Sequence, residues 1–146
     1  MFALLNMSLN ADAKTLVIQS AYLGKQGNVH VITKSGSDIQ LTKKGHNDQV
    51  KLSENKKAVG WISKRIKDES RLVLYYEGNI RTFRGGPFVR DFWFVNDGEK
   101  IAVDIGGLHF AGMEILYDVT TGERLDEVRQ WEVPYDKRPQ WSKQYR

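Results

Sequence analysis

His109 lies in the run Gly106-Gly107-Leu108-His109-Phe110-Ala111-Gly112, five residues after Asp104. Glycines on both sides let a backbone approach a ligand closely, and an imidazole near a carboxylate is basic equipment for acid-base chemistry. With Asp91 or Asp104 as its acid partner, His109 would serve a hydrolase or lyase with a shallow site. The same glycines are also what a long hairpin between two strands requires, and a lone histidine there is more often structural than catalytic.

Other constellations are weaker. Ser53, His46, Asp48, His109 and Asp91 supply the residue types of a nucleophilic triad, but no nucleophile elbow of the G-x-S-x-G kind is present. Asp91, Asp97, Asp104 and Asp118 fall at turn and strand-end positions, where Asp bonds nearby backbone amides. There is no cysteine, the three histidines lack zinc spacing, and no acidic loop has EF-hand spacing. The sequence therefore assigns no catalytic residue, no metal site and no cofactor; His109, Asp91, Asp104 and Trp141 are its candidates for binding.

Lys56, Lys57, Lys64, Arg65, Lys67 and Arg71 gather near Trp61, Tyr75 and Tyr76. A nucleic-acid surface needs such charges on one face. Alternating strands point half of them elsewhere, and Trp61 and Tyr75 read as core, so the pattern argues against nucleic acid. Net charge is +4 with a pI near 9.3, spread from Lys14 to Arg146. Apolar residues make up 40% and charged residues 27% of the 146, a composition that folds as one domain. No apolar stretch reaches the roughly 18 residues of a membrane span.

Positioning these residues falls to a repeat. Lys14, Lys57 and Lys100 occupy the same point of a similar phrase, 43 residues apart. In each, a strand end leads through a polar turn into a new apolar strand: Leu9 to Ile18, Leu52 to Trp61, and Phe94 to Val103. A second phrase follows each. Val29 to Thr33 leads through Gly36 to Ile39-Gln40-Leu41-Thr42; Leu72 to Tyr76 leads through Gly78 to Ile80-Arg81-Thr82-Phe83; Met113 to Val119 leads through Gly122 to Arg124-Leu125. All read as antiparallel strands with one buried face.

The stretch Ile39-Gln40-Leu41-Thr42, Val50-Lys51-Leu52-Ser53, Val59-Gly60-Trp61 resembles the repeat of TolB-type β-propellers. Leu116-Tyr117-Asp118-Val119-Thr120-Thr121-Gly122-Glu123 is similar to the outer hairpin of WD-like blades. Glu54-Asn55 and Ala11-Asp12-Ala13 stand where that repeat has Pro-Asp-Gly. The resemblance implies an all-β, bacterial, propeller-like protein of two to three antiparallel blades, an incomplete propeller. Repeat units are expected at about 1–42 (partial), 43–84 and 85–128, within a single domain 1–146. It implies no particular activity, since propellers host unrelated functions.

Too few blades to close a ring leave edges and an apolar face to cover. The segment 129–146, with Trp131, Tyr135, Trp141 and Tyr145, is expected to act as an aromatic strap over the sheet, or as a docking segment; a homodimer closing the sheet edges is the other solution. Ser63 to Ser70 reads as a loop or single helical turn at a blade edge. Phe2 to Ala13 fits both a repeat strand and the end of an export signal. The protein is expected in the periplasm or secreted if residues 1–13 are such a signal, and in the cytoplasm otherwise. The function expected is a non-enzymatic interaction or binding module whose partner is another protein or a second copy.

Overall fold

The computed structural model describes residues 17–64, 69–83, 88–107 and 111–143. His109, Tyr145, the expected signal segment 1–13 and the middle of the Ser63–Ser70 loop lie outside the described residues. Eleven strands run in chain order among those described: β1 (Ile18–Leu23), β2 (Val29–Thr33), β3 (Asp38–Gln40), β4 (Asn47–Leu52), β5 (Ala58–Ser63), β6 (Arg71–Tyr76), β7 (Asn79–Phe83), β8 (Val89–Val95), β9 (Lys100–Ile105), β10 (Met113–Asp118) and β11 (Arg124–Arg129). They form three antiparallel sheets in strict sequence order: β1-β2-β3, β4-β5-β6-β7 and β8-β9-β10-β11. The fold is all-β, with consecutive blade-like sheets and no closed barrel.

Strand period explains the stacking. Along β5 and β6, Ala58, Ile62, Leu72 and Leu74 point to the third sheet, while Val59, Trp61, Val73 and Tyr75 point to the first. The middle sheet is thus buried on both sides, which is why Ala58–Ser63 and Arg71–Tyr76 are nearly unbroken apolar runs. Ile18, Val29, Val31 and Leu41 complete the first interface. Phe92, Ile101, Val103, Ile105, Ile115 and Tyr117 complete the second. On the far side of the third sheet Trp93, Val95, Ala102 and Leu116 form another apolar face, and Trp141 of the tail lies on it. The tail is therefore a strap, anchored by the Trp93 indole N–H donating to the Trp141 carbonyl at 2.8 Å.

Two details set the geometry of the sheets. Tyr76 and Asn79 pair across a two-residue turn in which Glu77 and Gly78 have φ of 46° and 81°, the left-handed pair that a tight hairpin demands. Each of β4 and β8 carries a bulge against its neighbour, between Asp48 and Lys51 and between Val89 and Asp91.

Gly60 faces the Phe92 ring so closely that a Cβ there would lie 2.7 Å from Phe92 Cε2. Strand propensity alone favours alanine over glycine. Overpacking against a fully buried ring in a rigid strand outweighs that gain, so Gly60→Ala is expected to destabilise the protein by about 1–3 kcal/mol. Chemical denaturation measures it, and a rise in stability would show that the two sheets are not held at this separation.

Candidate functional site

Asp104 on β9 and Glu114 on β10 are register partners, both buried and both on the strap side of the third sheet. Two adjacent carboxylates out of water need cations and donors close by. Arg90, the extra residue of the β8 bulge, donates from Nη2 to Asp104 Oδ1 at 2.8 Å. Arg138 of the strap donates from Nη1 to Glu114 Oε2 at 3.5 Å, and the Ser142 hydroxyl donates to Glu114 Oε1 at 2.6 Å. Gln130 joins the halves. Its Nε2 donates to Asp104 Oδ1 at 3.3 Å and to Glu114 Oε2 at 3.0 Å, while its Oε1 accepts from Arg90 Nη2 and from the Gly112 amide. Further bonds from Arg138 to the Val133 and Gln130 carbonyls fix the strap's entry.

This network accounts for two of the glycines around position 109, Gly106 and Gly112. A Cβ on Gly106 would lie 3.0 Å from Arg90 Cζ, and one on Gly112 would overlap the guanidinium itself. The close approach that these glycines permit is to Arg90, a role that sequence spacing does not reveal because Arg90 is 16 residues before Gly106.

Asp91 is placed differently. Its Oδ1 accepts from Lys51 Nζ at 2.9 Å and from the amide of Phe92 at 2.8 Å. Lys51 also donates to the Phe92 carbonyl and sits 4.7 Å from the Phe92 ring centroid. Asp91 thus ties β8 to β4 of the neighbouring sheet. One repeat earlier, Asp48 accepts from the Gln49 amide at 2.9 Å and from Lys64 Nζ at 3.0 Å. The two aspartates stand 43 residues apart, and each accepts from the amide of the next residue and from a lysine. Trp141 is half-buried; its indole N–H donates to Asp126 Oδ2 at 2.9 Å and its ring covers the third sheet. Asp91 and Asp104 are register partners, yet they serve separate ion pairs.

Among the described residues the triad types do not converge. Ser53 is buried in the β4–β5 turn, where its hydroxyl accepts from the Ala58 amide and bonds Asn55. His46 and Asp48 stand at the other end of β4. Asp118 accepts from the Thr121 amide at 2.8 Å, as a hairpin aspartate does. Among the described residues no group of three or more potential ligands is placed to hold a metal ion.

One cluster has no counterpart in the sequence reading. Tyr22 and His30 are cross-strand partners whose rings stack with centroids 4.9 Å apart. Asp38 accepts from the Tyr22 hydroxyl at 2.5 Å and bonds His30 Nδ1 at 2.9 Å. These two hydrogen bonds, Tyr22 first, hold the Asp38 carboxyl below its ordinary pKa, and the same bond raises that of Tyr22. The only hint in the sequence is that Tyr22 and His30 flank a short turn-forming segment.

No protein-family model and no curated protein matches the chain. Among solved structures it is similar to TolB from Acinetobacter baumannii, with 16% identity over 66% of this chain and 25% of that one and a TM-score of 0.47. It is also similar to the acylaminoacyl peptidase of Pyrococcus horikoshii, with 7% identity over 82% of this chain and 26% of that one and a TM-score of 0.48. A prolyl endopeptidase is matched with 13% identity over 86% of this chain and 25% of that one, at a TM-score of 0.46. The chain spans about a quarter of the length of each.

Two predictions follow from the geometry of these clusters. Glu114→Ala removes the carboxylate that Arg138, Ser142 and Gln130 share, and leaves a guanidinium without its charge partner under the strap. A loss of about 3 kcal/mol is expected, together with faster proteolysis within residues 130–143; unchanged cleavage would mean that the network does not hold the tail. Asp38 has a folded pKa below its unfolded value, so its stabilising bonds are in place above the usual carboxylate range and are lost as pH falls through the folded pKa. In Tyr22→Phe the Asp38 carboxyl should titrate at higher pH than in the wild type, read from its carbon chemical shift.

Proposed function

We propose that the chain is a non-enzymatic interaction module that presents its aromatic tail to another protein or to a second copy of itself. The observation that carries this reading is a division of labour among the tail aromatics. Trp141 is turned inward onto the third sheet, while Trp131 and Tyr135 are 59% and 60% exposed. Tyr135 has the Arg138 guanidinium 5.8 Å from its ring. Tryptophan, tyrosine and arginine are the residue types that dominate binding energy at protein interfaces. A strap pinned by Glu114 and Trp93 offers them on a fixed base, which lowers the entropy lost on binding.

The carboxylates weighed for a hydrolase or lyase point the same way. Asp91 bonds Lys51 and Asp104 bonds Arg90 and Gln130, so each has a structural use without substrate.

Trp131→Ala and Tyr135→Ala should leave stability within about 0.5 kcal/mol of wild type, because neither side chain is buried. Concentration-dependent mass in sedimentation velocity, present in the wild type and lost in both variants, identifies the second copy as the partner. A strictly monomeric mass leaves another protein, whose capture should fall in the same variants. Turnover of an acyl or peptidyl test substrate that disappears in a folded Asp91→Asn or Asp104→Asn variant would replace this reading with the hydrolase or lyase.

A further inference from the structure

Lys56 and Lys57 lie in the β4–β5 turn, at the opposite end of β5 from Lys64. Lys56 and Lys57 therefore do not share a surface with Lys64. Lys64 is joined instead by residues from two other loops at its own end of the strands. The Lys64 amide donates to the His46 carbonyl at 2.7 Å. Asn47 Nδ2 bridges the carbonyls of Lys44 and Gly27, each at 2.9 Å, which locks the β3–β4 connection against the β1–β2 loop. In that loop Lys25 follows Gly24, and Gly24 lies against the imidazole of His30, where a Cβ would come within 2.8 Å of Nε2.

These contacts gather the loops that carry Lys25, Lys44, His46 and Lys64 at one end of the first two sheets, beside the Tyr22–His30 stack. Lys25, Lys44, His46, Lys64 and Tyr22 are all exposed. The nearby acids are engaged, Asp38 with Tyr22 and His30 and Asp48 with Lys64. Among the described residues neither Lys25 nor Lys44 forms an ion pair.

We propose that this end of the first two sheets binds single-stranded nucleic acid, with the Tyr22–His30 stack as a platform for a base and Lys25, Lys44 and Lys64 following the phosphates. Lysine ammoniums act as mobile point charges suited to phosphate rather than as forks for carboxylate. An aromatic pair held rigid by a shared carboxylate adds what a lipid surface or an acidic peptide does not use, a flat face for an unstacked base. The surface belongs to the first and second sheets and the aromatic tail to the third, so the two readings stand or fall separately.

Fluorescence anisotropy of a labelled oligouridylate or oligothymidylate with the full chain tests this. Three phosphate contacts predict a slope of log affinity against log salt of about −2. Lys25→Glu with Lys44→Glu should weaken binding at least about tenfold and flatten the slope. Lys56→Glu with Lys57→Glu changes the net charge equally and should leave affinity near wild type. Tyr22→Ala should cost about tenfold, while Tyr22→Phe, which keeps the ring, should not. Melting curves identify any variant that fails to fold. Absence of binding at low salt, equal losses from the two charge-reversed pairs, or equal affinity for phosphatidylserine vesicles or polyglutamate would each overturn the proposal.

Discussion

The middle sheet is apolar on both faces, and the rest of the architecture answers to that fact. Trp61 and Tyr75 on one side and Ile62, Leu72 and Leu74 on the other are buried, and each such side chain contributes about 1.5–3 kcal/mol only when it is removed from water. Covering one face alone would leave the other wet, so a sheet is needed before and after. Adding the third sheet then moves the difficulty one step along, because Trp93, Val95, Ala102 and Leu116 face outward from it. Repeat proteins meet this problem with atypical ends. Here the strap does it, with one large indole rather than another sheet.

An indole alone would cover the face without fixing where it sits. The polar network supplies the register. Glu114 has two oxygens; Arg138, just after the short helical segment Tyr135–Lys137, reaches one, and Ser142, within the segment Gln140–Lys143, reaches the other. Sliding the tail by one residue would break both bonds and strand a buried carboxylate. Asp104 next to Glu114 raises the cost of that loss, since like charges side by side depend on Arg90, Gln130 and Arg138 together. The charge here stabilises the protein less through attraction than by penalising every alternative arrangement.

Much of the fold was legible because it rests on local period and turn chemistry. Val29 to Thr33 reads as a strand and is β2 at the same limits; Leu72 to Tyr76 and Met113 to Val119 each differ from β6 and β10 by a residue at one end. The half-exposed Trp141 and the exposed Trp131 look alike in sequence, because what separates them is the position of the third sheet beneath. The candidate clusters were less legible for a related reason. Tyr22, His30 and Asp38 meet only through the pairing of β1 and of β3 with β2, and Glu114 meets Arg138 across 24 residues. Asp104 and Asp91 were found by residue type, but their partners, Arg90 and Lys51, were not. A basic side chain gives no local sign of which acid it will face.

Strand direction makes a further distinction that composition hides. Tight turns at one end of the sheets hold Glu54, Glu77, Asp97, Glu99 and Glu123 beside Lys34, Lys56 and Lys57. The connections at the other end hold Lys25, Lys43, Lys44 and Lys64, with Glu69 as the acid among the described residues. A net charge that looks evenly spread along the chain is therefore divided in space, because each hairpin carries alternate connections to opposite ends. The turn end is committed to backbone geometry, as the positive φ of Lys56, Glu77, Asn96 and Asp97 shows. The lysine end carries backbone constraints of its own, the positive φ of His46 and Gly27 and the Asn47 bridge between two loops, so its exposed lysine side chains project from loops that are themselves held in place.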